Sequence, residues 1–361
     1  MSLLTPPRTA VAPEVDPEVL AVVRRSRTTG RARAAVVSVG LAVACVVVLL
    51  VSVSVGDLRV PLRDLLPAVV GRGTPEADFV LMTLRLPRAL AGVAVGALFG
   101  LAGAVFQSLA RNPLASPDII GVTAGSTTAA VLLIVTGATL GLGSAAVPVA
   151  AFVGGLATMT TVYLLAYRGG LSAYRLVLVG IGVAAVCSAV TQYLLTRAEL
   201  YDVQRATVWL TGSLNGRGWD EVLVLAGASA VLVPAVLLLA RPLRGLQTGD
   251  ETARATGVPV EGSRAALVVV GVACASVATA VAGPVSFVAF LAAPVARRLV
   301  RAPLTLVPAA LAGSLLVLAA DLVARTAFGT VELPVGIVTG LVGAPYLLWL
   351  LARANRVGRT G

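Results

Sequence analysis

Long uncharged stretches alternate along this chain with short clusters of arginine, proline and glycine. The uncharged runs span 34–56, 89–110, 119–167, 176–196, 222–240, 265–296, 302–320 and 333–352. At about 1.5 Å rise per residue, some 20 apolar residues cross a hydrocarbon core of roughly 30 Å. Two of the runs are long enough for two crossings each. The first is divided by the glycine-rich stretch 137–148, and the second at Gly283-Pro284, where proline removes a helical hydrogen bond. The pattern predicts an all-α polytopic membrane protein with ten transmembrane helices between residues 34 and 352.

The run 89–110 is the one around which the rest is expected to pack. Gly92, Gly96 and Gly100 recur every fourth residue and leave bare backbone along one helix face, the small-residue pattern that lets transmembrane helices approach closely. Polar, proline-bearing turns bound the span: Arg85-Leu86-Pro87-Arg88 before it and Asn112 to Asp118 after it. Pro87 is expected in the first helical turn, where its missing N–H costs nothing. Two prolines and Asp118 describe a rigid turn at the other end.

Composition agrees with a membrane protein: 58% of residues are hydrophobic, 12% are charged and mean hydropathy is +0.95, so too little polar surface exists to cover a soluble domain. All 28 basic residues are arginine and histidine is absent. Without lysine there is no Walker A phosphate loop and no Schiff base; without histidine there is no His-based triad or His-ligated metal. Cys45, Cys187 and Cys274 lie far apart in apolar runs, without CxxC spacing, and read as packing residues. The net charge of +11 has no soluble basic domain with interleaved aromatics to present it, so nucleic acid is not an expected partner.

The charge has a topological meaning instead. With both termini cytoplasmic, nineteen of the 28 arginines fall on the inner side, as the positive-inside rule requires. Residues 1–33 then read as a disordered basic cytoplasmic tail and 353–361 as a second short tail. Five of the outer arginines crowd between Asp57 and Arg88. Arg85 and Arg88 admit two readings: cations snorkelling at a membrane boundary, or a docking point for an acidic partner or anionic substrate. Arg325 is a further outer arginine, four residues after Asp321, with which it is placed to pair.

The longest inner connection is 241–264. Thr248 with Glu251 forms a capping-box pattern, Asp250 and Arg254 an i,i+4 pair, and Gly257 followed by Pro259 a stop. The expected helix of about two turns is too short to stand alone. It is either a connector lying on the bilayer or a knob inserted into a cytoplasmic partner. On the outer side, the Trp209 to Leu214 stretch precedes Trp219, a pattern of interfacial tryptophans, and Val203 to Leu210 is a candidate re-entrant helix.

Taken together, RLPR at 85–88, RNPLASPDIIGV at 111–122, WLTGSL at 209–214, GDETARATGV at 249–258, AGPVSFVAFLAAPVARRL at 282–299, and ADLVAR with ELPVGIVTGLVGAP at 320–345 resemble the permeases of ABC importers for ferric siderophores, haem and cobalamin. The resemblance covers roughly residues 40–352, with the motifs in order. It implies a type II importer architecture: two permease subunits, identical or paralogous, two cytoplasmic ATPase subunits that carry ATP and Mg, and an external substrate-binding protein. This chain itself would bind no cofactor or metal and have no ATPase site. By position, Arg85, Arg88 and Arg325 would pair with acidic residues of the binding protein, and Thr248, Gly249, Asp250, Glu251, Arg254 and Gly257 would form the helix that couples to the ATPase. Leu171, Ser172, Ala173 and Tyr174 fall where the family has its inner gate, although Ala173 and Tyr174 are not the small hydroxyl residues expected there. Ala293-Pro294-Val295 stands where many members read Ala-Pro-His, which favours a ferric siderophore as substrate. A cobalamin or haem permease is the alternative within the same family; outside it, a secondary transporter and a non-transporting receptor are the alternatives. The secondary transporter is disfavoured because Asp118 and Asp321 lie near span ends rather than at mid-bilayer.

Overall fold

The structure, a computed structural model, describes residues 17–56, 67, 74–138, 141–167, 173–329 and 331–357. The principal helices are α1 (Pro17–Ser54), α2 (Leu86–Leu109), α3 (Val122–Thr136), α4 (Ala146–Ala166), α5 (Ala173–Arg197), α6 (Leu200–Leu210), α7 (Trp219–Leu238), α8 (Ala240–Gln247), α9 (Asp250–Ala255), α10 (Val260–Ala282), α11 (Val288–Val300), α12 (Leu306–Thr326) and α13 (Val335–Val357). Among the described residues, seven helical stretches are long and apolar enough to cross a membrane: Thr28–Ser54, Phe79–Leu109, Gly143–Ala166, Tyr174–Arg197, Trp219–Leu238, Val260–Ala282 and Leu306–Thr326. Val122–Thr136 and Val335–Leu350 are shorter apolar helices, and α11 has 13 residues. The chain is thus a multi-pass, helical membrane protein, and each of the ten expected segments coincides with a helix.

Both dividing points are where the uncharged runs placed them. α10 ends at Gly283, whose φ of +70° suits a residue without a Cβ, and α11 begins five residues later. The tails differ from expectation. α1 starts at Pro17, so residues 17–33 are helical rather than disordered, and α13 runs on to Val357. The reason is cooperative: once an apolar span is helical, extending it costs no new nucleus, and the five arginines of the flank are good helix formers. Residues 1–16 and 358–361 lie outside the described residues.

α2 is the central element. It packs against α7, α8, α10, α11 and α12, and is buried along almost its whole length. Its glycine face meets α12 backbone to backbone. A Cβ on Gly96 would run into the Gly313 carbonyl and stand 2.6 Å from the Ser314 Cα; one on Gly100 would run into the Ala309 carbonyl, 3.2 Å from the Ala310 Cα. Gly313 meets Gly96 reciprocally. Polar side chains fasten the close contacts: the Ser314 hydroxyl donates to the Val93 carbonyl at 2.7 Å, and the Gln107 amide donates to the Phe290 carbonyl of α11 at 3.0 Å. Cys45 and Cys274 are buried, and Cys187 is partly so; all three thiols are free.

Gly96→Val is therefore expected to separate α2 from α12 and to cost at least about 3 kcal/mol, the upper range for overpacking, because the opposing atoms are backbone. Thermal unfolding of the detergent-solubilised protein should show it, while Gly40→Val, where nothing lies within 4 Å of the added Cβ, should leave the transition nearly unmoved.

Candidate functional site

Two polar nodes sit at opposite ends of α2. The first gathers the three arginines singled out above. Before α2 the chain is wound as a π-helix from Phe79 to Arg85, and the Leu86 N–H donates to the Leu81 carbonyl five residues back. Pro87 explains this: it has no N–H to give and its ring crowds the preceding turn, so the turn widens. In the same i+5 register the Met82 carbonyl would look to Pro87 for a donor that does not exist. The indole N–H of Trp219 supplies one at 2.7 Å. Trp219, expected as a generic interfacial tryptophan, thus has a specific partner, and Pro87 stands in the first turn of α2, as expected, with the π-helical turn continuous before it.

The widened turn directs Arg85 and Arg88 to different neighbours. Arg85 Nη1 donates to the Val53 and Ser54 carbonyls at 3.0 and 3.4 Å, a cation on the unsatisfied end of α1. Arg88 places Nε and Nη2 on Asp321 Oδ1 at 3.1 and 3.0 Å, and Nη1 on Glu332 Oε2 at 3.0 Å. Asp321 Oδ2 accepts from Arg325 Nε at 3.1 Å, and Arg325 Nη2 reaches the Ser52 hydroxyl at 2.6 Å and its carbonyl at 3.1 Å. The Asp321 carboxylate, 2% exposed, therefore bridges two arginines and ties α2 to α12, while Arg325 ties α12 to α1. The expected Asp321–Arg325 pair is present. Arg88 and Arg325 are both engaged inside the protein rather than free at the surface; sequence spacing offered the Arg325 pair but gave no means to see that Arg88 shares the same carboxylate. Glu332, within the ELPVGI motif, and Ser52 were not singled out as members of this node.

The second node lies at the α8–α9 connection. Asp250 does not pair with Arg254. It holds Arg264 of α10, at 2.9 and 2.8 Å, and Arg111, at 3.2 Å, just beyond the end of α2. Arg111, with a left-handed φ of +49°, also donates to the Leu246 carbonyl at 2.7 Å. Arg254 lies 3.8 Å from Glu261 instead. Nor does the capping box form: the Thr248 hydroxyl donates back to the Gly245 carbonyl at 2.8 Å, closing α8, and Gly249, with φ of +114°, opens α9. Long-range charge pairs have displaced the local ones because α9 is anchored by buried Ala253 with Asp250 turned toward α2 and α10. The stop at Gly257 holds, with the Val258 N–H on the Ala253 carbonyl and the Gly257 N–H on that of Arg254, a Schellman motif. Glu251 and Arg254 remain exposed.

The 112–118 turn is rigid, as expected. The Asn112 side chain accepts the Leu114 N–H at 2.9 Å, and Asp118 accepts the Thr123 hydroxyl. Burial pushes the Asp118 carboxyl up, partly offset by that hydrogen bond. Of the expected inner-gate residues, Leu171 and Ser172 lie outside the described residues, Ala173 begins α5, and Tyr174 is exposed. Val203 to Leu210 falls within the separate helix α6, whose following loop is stitched to α10 and α13: the Ser213 N–H donates to the Ala282 carbonyl at 2.7 Å and the Gly336 N–H to that of Gly212 at 3.1 Å.

A solved metal-chelate type ABC transporter in an inward-facing conformation matches the fold with a TM-score of 0.78 and 28% identity, over 88% of this chain and 98% of that one. The chain belongs to the FecCD transport family, whose profile matches residues 44–353. The ferric enterobactin transport system permease protein of Escherichia coli is 40% identical over 87% of this chain and 94% of its own length. The iron(3+)-hydroxamate import system permease protein of Bacillus subtilis is 36% identical over 86% of this chain and 94% of its own. The hemin transport system permease protein of Yersinia pestis is 34% identical over 89% and 96%. The protein is accordingly a multi-pass permease of the cytoplasmic membrane, of the iron-siderophore type.

Asp321→Asn keeps the shape of the bridge but removes the buried counter-charge that two largely buried guanidiniums share, leaving Arg88 only the exposed Glu332. It is expected to cost about 3–5 kcal/mol, read by thermal or denaturant unfolding. For the second node, Arg264 first, then the charges of Arg111 and Arg254, hold the Asp250 carboxyl below its ordinary value of 3.8. A depressed carboxylate adds stability that is complete above the unfolded-state value and is lost as pH falls through the folded-state value. The stability gap between wild type and Asp250→Asn should thus be constant from neutral pH to about pH 5 and close on acidification below about pH 4. A gap that does not narrow at all as the pH is lowered below the ordinary carboxylate range would exclude the ion pair as its source.

Proposed function

We propose that this chain is the membrane-spanning subunit of an ATP-driven, binding-protein-dependent importer whose cargo is a ferric siderophore. The observation that carries the reading is the Asp250 node. It fastens the short helix α9, which is too short to be stable alone, to both α2 and α10, and leaves Glu251 and Arg254 outward for a cytoplasmic partner. Thr248, Gly249, Asp250, Glu251, Arg254 and Gly257 then form the surface that rides on the ATPase. ATP and Mg are held by that partner, and displacement of α9 moves the inner ends of two buried helices. Two permease subunits, identical or paralogous, enclose the path between them.

On the outer side, the Arg85, Arg88 and Arg325 node is the docking surface for a substrate-binding protein. Arg88 and Arg325 converge on Asp321, Arg88 also reaches the exposed Glu332, and Arg85 lies on the neighbouring end of α1, so the node sets three guanidiniums close together for acidic side chains. A ferric siderophore is favoured as cargo because relatives at 40% and 36% identity are named for ferric enterobactin and iron(3+)-hydroxamate. A cavity of about 1110 Å³ opens beside Tyr201, Trp209 and Glu332 and is large enough to admit such a chelate. A haem cargo is the second reading, supported by the 34% identical hemin permease.

Proteoliposomes holding the permease, its ATPase and its binding protein should accumulate a labelled ferric siderophore only with ATP inside. Uptake that needs no ATP and collapses with a protonophore would overturn the reading. Converting Arg85 and Arg88 together to Glu should weaken binding-protein association at least about tenfold, most strongly at low salt.

A further inference from the structure

Arg88 divides its guanidinium between two carboxylates of different character. Nε and Nη2 face Asp321, which is 2% exposed and shared with Arg325; Nη1 faces Glu332, which is 47% exposed. Glu332 lies in the irregular segment 331–334 that leads into α13, so no helix holds its carboxylate in place. The only other polar group near Nη1 among the described contacts is the Asn215 side-chain oxygen, at 3.5 Å. The inner half of Arg88 is thus a fixed structural tie, and the outer half is a cation covered by a removable anion.

We propose that Glu332 is a built-in competitor for the docking protein: its carboxylate occupies the Arg88 Nη1 face that an acidic side chain of the external binding protein takes on docking. The inference rests on the docking reading given above and names the contact that docking must exchange. A guanidinium presents a planar fork that one carboxylate replaces with another at little cost, and a half-exposed ion pair contributes little stability of its own. Exchange conserves the pairing of Arg88 and returns Glu332 to water. Undocked, Arg88 stays neutralised and does not collect other anions; docked, the returning Glu332 speeds release.

The test measures the affinity of the binding protein encoded with the permease for the complete importer in nanodiscs. Glu332→Gln is expected to tighten binding about two- to fivefold at low salt, the span of a typical exposed ion pair. Asp220→Asn removes another exposed acid, from the first turn of α7, without touching Arg88, and is expected to leave affinity unchanged. In an Arg88→Gln background, itself weaker in docking, Glu332→Gln should have no further effect. Equal tightening by Asp220→Asn and Glu332→Gln would reduce Glu332 to a general surface charge and overturn the proposal, as would an unchanged or weaker affinity for Glu332→Gln alone. If Arg88→Gln weakens docking while Glu332→Gln does not tighten it, the docking surface stands and the competitor falls. If a folded Arg88→Gln importer docks normally, both fall. Neither Glu332→Gln nor Asp220→Asn disturbs the buried Asp321 bridge, so those two arms decide the matter even where Arg88→Gln fails to assemble.

Discussion

In a hydrocarbon solvent, apolar side chains gain nothing by leaving lipid for protein, so helices in a bilayer associate only where their surfaces fit closely enough for dispersion and backbone contact to win. The contact of α2 with α12 meets that condition by removing side chains altogether. Gly96 and Gly313 face one another across it, and the Ser314 hydroxyl donates to the Val93 carbonyl at the same level. The centre of the fold depends on this seam, because α2 is also the helix on which α7, α10 and α11 pack. A second seam, between α2 and α11, repeats the device where Gly103 meets the Ala289 backbone and Gln107 reaches the Phe290 carbonyl.

The polar chemistry is placed at the two ends of that same rod. Arg88 stands at one end in the Asp321 node, and Arg111 just past the other in the Asp250 node. Each node joins helices that are distant in sequence: α1, α2 and α12 in the first, α2, α9 and α10 in the second. A displacement of α9 therefore acts directly on the inner ends of α2 and α10. The opposite end of α2 carries the arginines proposed to meet the binding protein. The continuity runs through one rigid helix and its ion pairs, and requires no relay of small side-chain shifts.

The local errors of the sequence reading share one cause. Thr248 with Glu251, and Asp250 with Arg254, satisfy good local rules, yet each side chain takes a different partner. Local pairs on an exposed six-residue helix are worth a few tenths of a kcal/mol, and a guanidinium brought in from α10 or from the end of α2 outbids them. Trp219 and Pro87 show the same thing at the other end. A tryptophan near an interface and a proline near a helix start each have an adequate separate explanation, but the structure joins them through the Met82 carbonyl that the proline leaves without a donor. The helical reach of α1 back to Pro17 belongs here too, since a tail next to an already formed helix is not judged on its own propensity.

By itself, the sequence determined what one-dimensional spacing can carry: the membrane environment, the helical segments, the breaks at Gly137–Pro148 and Gly283-Pro284, the bare glycine face of α2, and the ordered motifs of the permease family. These follow from hydropathy length, proline and glycine chemistry, and residue order, none of which depends on a partner distant in the chain. Only the tertiary structure decided which helix fills the glycine face, that Asp321 sits between Arg88 and Arg325, that Asp250 turns to Arg264 and Arg111, and that Glu332 covers the outer side of Arg88. Charge pairs and backbone contacts between remote segments are selected by where the helices pack, and spacing along the chain holds no record of that.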